Sequence, residues 1–309
     1  MNYLLEADLL DYQTQLNMLE ENARSCQMDI SVLNEASIKE AWSKFIKWVK
    51  EKVGPLIKSL VDWGKKIFGL EKKKDEAMKD DIDFILKYQS QMKYAGNAIE
   101  KKKLTRYILN INGNDKVLKI IEMVNFTPLN IYIKALQKKA LIIYNETGMP
   151  NDKFQKEKKE FEENQREIDE LKIDNINDCF RSREFNKDEY AMNASYIRLA
   201  LRRINSDNEG IDKGNKYLNQ VNDVYYSIQK TVNAIDKSIA GYEDATIANV
   251  LAFGNMLVKQ CIDLGTIIRT YIQLFEKDKE YQYAFLRQVK VLMKAALDRG
   301  ESVEVPNFA

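Results

Sequence analysis

Histidine is absent from the 309 residues of this chain. Its absence excludes Ser-His-Asp and Cys-His nucleophilic catalysis, imidazole metal ligation, and the one side chain that ordinarily titrates near neutrality. Cysteine is scarce. Cys26, Cys179 and Cys261 lie far apart with no Cys-x-x-Cys spacing, so reduced thiols are expected rather than a disulfide framework, a metal site or a redox centre. Four prolines and twelve glycines leave few tight turns, so the chain is expected to run in long elements. No G-x-x-x-x-G-K-[ST] or G-x-G-x-x-G phosphate loop is present, which argues against nucleotide hydrolysis. The start, MNYLLEADLLDYQTQL, carries acids where a signal peptide has a basic region. No run of 18 or more apolar residues occurs, so no conventional membrane-spanning helix is expected. The formal net charge of +1 leaves no global pull toward nucleic acid, and any such attraction must be local. The expectation is a protein without enzymatic activity, cofactor, metal or small-molecule substrate.

What is present is helical. Hydrophobic residues make up 45% and charged residues 31%, enough for a core with charge to spare for long helices. Over residues 3–27, Leu5, Leu9, Tyr12, Leu16 and Leu19 recur at spacings of three and four, the mark of a helix. Ser37 and Glu40 form a capping box that opens a second helix, with an apolar stripe running from Ile38 to Phe68. Pro55 is expected to kink or restart that helix, and Gly69 to stop it. EKKKDEAMKDD reads as a charged junction, after which Met78, Ile82, Ile85, Met92 and Ala95 resume the pattern to about Lys101.

Residues 104–126 admit two readings. Asn112-Gly113 between apolar runs signals a small β-hairpin near residues 104–124, the preferred reading. The rival is a helix over 115–125. Thr127-Pro128 starts a further helix to about Tyr144. KFQKEKKEFEENQREIDELK reads as a solvated helix with a narrow seam of Phe154, Phe161, Ile168 and Leu171, its carboxylates balanced by neighbouring lysines rather than arranged for catalysis. Residues 173–188 are polar and irregular, the best place for a boundary or linker. Heptad-like spacing then runs through Leu218–Ile239, Ile247–Phe275 and Tyr281–Ala296. The GYED connection makes the first two of these antiparallel neighbours. The fold class predicted is therefore mainly α, a long-helix antiparallel bundle with that one small hairpin. Four parts are expected: residues 1–35, an N-terminal helix and linker; 36–150, a basic Trp-rich helix with a small central region; 151–187, a charged helix and linker; and 188–309, the bundle.

Two features bear on function. The helix at 37–69 holds all three tryptophans, Trp42, Trp48 and Trp63, and eight lysines against Glu40, Glu51 and Asp62. It would be about 50 Å long if unbroken. Trp42, Lys44, Lys47, Trp48, Lys50, Lys58, Trp63, Lys65 and Lys66 are the candidate contacts to a membrane surface, a protein partner or nucleic acid. The plain alternative is that the tryptophans fill the core and the lysines face water. The second feature is Leu33-Asn34-Glu35-Ala36, matched in form by Leu4-Leu5-Glu6-Ala7. Leu-x-Glu before a small residue resembles the cleavage site of the prohead proteases of T-even-type and related large phages. Glu35 and Ala36 would flank the cut, freeing the basic helix from an acidic one.

The order of these parts resembles the virion proteins of large tailed bacteriophages. A segment ending in LNEAS precedes IKEAWSKFIKWVKEKVGPLIKSLVDWGKKIFG, then a KKK junction, a small central region, and a bundle ending near YAFLRQVKVLMKAAL. The resemblance implies an internal or minor structural component of the head, or of the portal region, made in the host cytoplasm. Its partners would be other virion proteins, further copies of itself through helix contacts, or packaged DNA, in assembly, packing or ejection. A membrane-active helical protein resembling α-helical pore-forming toxins is the alternative, and a regulatory protein that binds a partner is a third.

Overall fold

The computed structural model describes residues 2–25, 38–89, 105–125, 128–145, 151–184 and 194–298. The elements are α1 (Asn2–Ser25), α2 (Ile38–Trp48), a π-helical turn (Val49–Val53), α3 (Gly54–Gln89), β1 (Thr105–Leu109), α4 (Asp115–Asn125), α5 (Pro128–Asn145), α6 (Asn151–Asp169), β2 (Phe180–Glu184), α7 (Ala194–Ser238) and α8 (Asp244–Asp298). The fold is a mainly helical bundle with one small antiparallel pair of strands, the class the periodicity predicts.

Four features differ from the sequence reading. Gly69 does not end a helix; α3 passes through it and through the EKKKD block without a break. The EKDKE block at 276–280 likewise lies inside α8. Strand β1 pairs with β2, in the register Thr105↔Glu184 to Leu109↔Phe180, and not with the residues after Asn112-Gly113. Those residues make a 3-10 turn and then α4, because Val117, Ile120, Met123 and Val124 are spaced for one buried helical face. Phe180–Glu184, read as part of a linker, is the second strand.

Pro55 acts as its chemistry dictates. It has no N–H to donate into the ladder, and its ring crowds the preceding turn. The turn before it widens, and the Gly54 N–H reaches back to the Val49 carbonyl. The Tyr225 hydroxyl donates to the same carbonyl at 3.0 Å. This approach needs glycine at 54, where a Cβ would lie 2.6 Å from the Tyr225 oxygen.

The chain forms two compact units, each drawn from three stretches of sequence. The first comprises 1–66, 116–173 and 214–271. Trp63, Phe45, Leu56, Phe253, Leu257 and Leu264 are buried in it. There Arg24 on α1 donates to Asp263 on α8, and Arg269 donates to Glu20 and Asn17. Of the narrow seam expected of α6, Phe161 and Ile168 are buried, as is Leu171 just beyond the helix, and the Phe154 side chain lies outside the described residues. The second unit comprises 67–115, 174–213 and 272–309. Its core joins Met78 and Ile85 of α3, Ile197, Ala200 and Ile204 of α7, and Phe285, Leu286, Val289 and Met293 of α8. By length and composition, Asp244–Ala295 of α8 could cross a membrane, but 78% of its apolar window is buried inside the protein.

Two glycine substitutions test this account in urea unfolding. Gly54→Val forces a side chain into Tyr225 and should destabilise by about 1–3 kcal/mol. Gly69 is helical, and a Cβ added there would meet nothing within 4 Å. Gly69→Ala should therefore stabilise by about 0.5–1 kcal/mol, whereas a loss would mean that the helix ends there.

Candidate functional site

The helix proposed as a contact surface divides by face. Ile38, Ala41, Trp42, Phe45, Ile46, Trp48, Val49, Val53, Leu56, Ile57, Leu60 and Trp63 form one continuous buried stripe. All three tryptophans lie in it, with Trp63 fully covered. The Trp42 indole N–H donates to Asp236 Oδ1 at 3.1 Å and that of Trp48 to the Ala23 carbonyl at 2.8 Å. The Arg269 guanidinium stands 5.9 Å from the centre of the Trp63 ring. These indoles are committed to the protein interior, and reaching a bilayer would require opening the core.

The opposite face carries the lysines. Lys39, Lys44, Lys47, Lys50, Lys58, Lys65 and Lys66 are all exposed, at spacings that keep them on one side of α2 and α3. Glu40 and Glu51 are the exposed acids among them, and Glu40 pairs with Lys44 at 2.6 Å. The Lys44 ammonium holds the Glu40 carboxyl below its ordinary value. Lys66 lies over the Tyr12 ring, 3.9 Å from its centre. Between Ile38 and Lys66 the one exposed apolar residue is Pro55. The face is thus a strip of ammonium groups without an apolar wedge, a form suited to a polyanion. Glu35, Ala36 and Cys26 lie outside the described residues.

A second constellation escaped the sequence reading. In the second unit, α3, α7 and α8 bring charged side chains together in the interior. The Lys279 side chain has no exposure at all. Its ammonium contacts Asp75 Oδ1 at 2.6 Å, Asn208 Oδ1 at 2.6 Å, Glu71 Oε2 at 3.0 Å and the Glu71 carbonyl at 3.3 Å. Glu71 also meets Lys74 at 2.7 Å, and the Tyr283 hydroxyl donates to Asp75. Beside this, Arg203 donates to both oxygens of Asp278 at 3.1 and 3.2 Å. Gln282 Nε2 donates to Asp278 at 3.0 Å, and its Oε1 accepts from Arg106 on β1 at 3.1 and 3.3 Å. Asp207 is buried among them.

Phase was the signal that could have revealed this cluster. On α3 the buried positions run Leu60, Ile67, Glu71, Met78 and Ile85; on α8 they run Tyr271, Asp278, Gln282, Phe285 and Val289. The charged residues fall in step with the apolar ones, so they face inward.

Burial sets the electrostatics here. It lifts the Asp207 carboxyl to about 9, helped by the Asp278 charge and opposed by Arg203 and Lys279. Burial lifts Glu276 to about 7 against the pull of Lys74. Asp278 is raised too, burial outweighing Arg203. In the first unit, burial alone pushes the Cys261 thiol up to about 12, leaving it unreactive.

Elsewhere in the first unit, a cleft of about 270 Å³ between α6 and α8 is lined by Phe161, Ala252 and Met256, with Lys158 and Lys259 also on its wall. No group of three or more Asp, Glu and Cys side chains suited to a metal ion occurs among the described residues. No family model, curated protein or solved structure matches this chain.

Removing the Lys279 ammonium leaves the buried Glu71 with Lys74 alone and the half-buried Asp75 without its cation. Lys279→Ala should cost about 3–5 kcal/mol in chemical unfolding. A cost below about 1 kcal/mol would show that the cluster is open to water.

Proposed function

We propose that this chain is a non-enzymatic structural protein of a bacteriophage virion, an internal or minor head component that lies along packaged DNA through the lysine face of α2 and α3. The observation that carries the DNA contact is the division of that helix. Its indoles are buried, while its exposed side is a row of lysines with no exposed apolar residue other than Pro55. From Lys39 to Lys66 the row extends about 40 Å at the helical rise. Duplex DNA of that length presents on the order of twenty phosphate charges, so every lysine can find one. The setting rests on the resemblance of the order of parts to that of large-phage virion proteins. Contacts to other virion proteins would run through the remaining helix surfaces. The membrane-active alternative has less support, because its proposed anchors are interior side chains.

Fluorescence anisotropy with duplex DNA across a salt series tests the contact. Log affinity should fall with log salt by about 0.9 per phosphate neutralised. Replacing Lys44, Lys47, Lys50 and Lys58 together by glutamine should reduce that slope by about 3–4 and weaken binding at least tenfold. A wild-type chain that ignores DNA, or a variant with an unchanged slope, sinks the DNA contact. Tryptophan emission that shifts on adding anionic vesicles would favour a membrane instead. Absence of the chain from purified virions, by mass spectrometry, would overturn the virion setting.

A further inference from the structure

The cations of the second unit's buried cluster are committed before Asp207 is reached. The three Lys279 donors face Glu71, Asp75 and Asn208. Arg203 spans both oxygens of Asp278. Arg106 is directed at Gln282. Asp207 sits one turn beyond Arg203 on α7, is 2% exposed, and its Oδ2 has no hydrogen-bond partner. Around it stand Glu71 from α3, Arg203 from its own helix, and Asp278, Lys279 and Tyr283 from α8. A second carboxylate there would be a desolvated charge beside Asp278, answered only by Arg203 and Lys279, which already pair with other acids. The neutral acid removes that charge.

We infer that Asp207 holds a proton that latches α7 against α3 and α8, so that the Ile197–Asn208 stretch of α7 opens more readily as pH rises. Opening wets Asp207, which then ionises. Its proton is bound when the latch is closed and lost when it is open. The raised carboxyl value fits this arrangement. The sign follows from linkage. Below the ordinary carboxyl range Asp207 is protonated in both states and pH has no effect through it. From there up to about 9 each pH unit favours opening about tenfold, since one proton is released. Above about 9 the dependence levels off. Glu276 adds the same trend only up to about 7, so the interval above neutrality reports on Asp207 with its neighbour Asp278, which burial also raises, and the Asp207→Asn variant separates the two.

The test is amide hydrogen exchange on the full chain, expressed as protection factors, at about pH 7.5 and 8.5. Amides of Ile197, Ala200 and Ile204 should lose about tenfold protection over that unit, beyond the base-catalysed rise in intrinsic exchange. Asp207→Asn should abolish the loss. Infrared spectra at about pH 8.5, where Glu276 is ionised, give an independent readout: a protonated-carboxyl C=O band in the wild type, absent from Asp207→Asn. If Asp207→Asn fails to fold, Asp278→Asn serves. It releases Arg203 to pair with Asp207, which should then ionise in the folded chain, removing both the band and the pH dependence. Constant protection in the wild type, an absent band, or an undiminished pH dependence in either folded variant overturns the proposal.

Discussion

An ammonium group without water must find its ligands in the protein. Lys279 does so by taking oxygens from α3 (Glu71, Asp75) and α7 (Asn208) while standing on α8. Apolar contacts among Ile, Leu and Val tolerate a helix sliding or rotating, because one methyl replaces another. The Lys279 contacts do not. A one-residue slip turns a helix by about 100° and carries the carboxylates away from the ammonium. The cluster therefore fixes the register in which the Met78, Ile204 and Phe285 layers of the second unit meet. Replacing such a group by a well-packed apolar set would sacrifice little stability, but it would remove that selection among registers.

This arrangement explains what was legible in the sequence and what was not. Helices were legible wherever apolar residues kept their spacing, and Pro55 announced its irregular turn. The charged block EKKKD was misread because composition outweighed phase. A charged run ordinarily marks a solvated junction. Here Glu71 and Asp278 keep step with the apolar stripe on either side, so the helices continue and the charges turn inward. Strand β2 was hidden for another reason. FRSRE has the length of a strand but little apolar alternation, and its partner β1 lies far away in sequence. Phe180 meets the Tyr281 ring, which also stacks on Tyr107 at 4.5 Å, so the strand's place is set by contacts that no local pattern encodes.

The basic helix illustrates the same limit from the other side. An amphipathic stripe rich in tryptophan and leucine has one periodicity whether it lies on lipid or against protein. The deciding fact is whether other elements cover it. Here they do: the Phe45 ring sits so close to α8 that a Cβ on Gly254 would lie 2.9 Å from it. Helices can meet that closely only where one side chain is missing. Gly254 was visible within an apolar repeat, but its meaning depended on what would face it.

The lack of histidine implied a chain with no group poised to titrate near neutrality. That inference holds for side chains in water and fails for those in a protein interior. A carboxyl is displaced upward when its ionised form cannot be solvated, and the displacement grows when the nearby cations already serve other acids. Glu276 reaches about 7 with Lys74 shared between it and Glu71. Asp207 goes higher because Arg203 and Lys279 are occupied by Asp278, Glu71 and Asp75. Proton sensitivity near neutrality is thus a property of how acids and bases are counted within a buried cluster. Residue types alone do not determine it, and a near-zero net charge over the whole chain does not preclude a local excess of carboxylates.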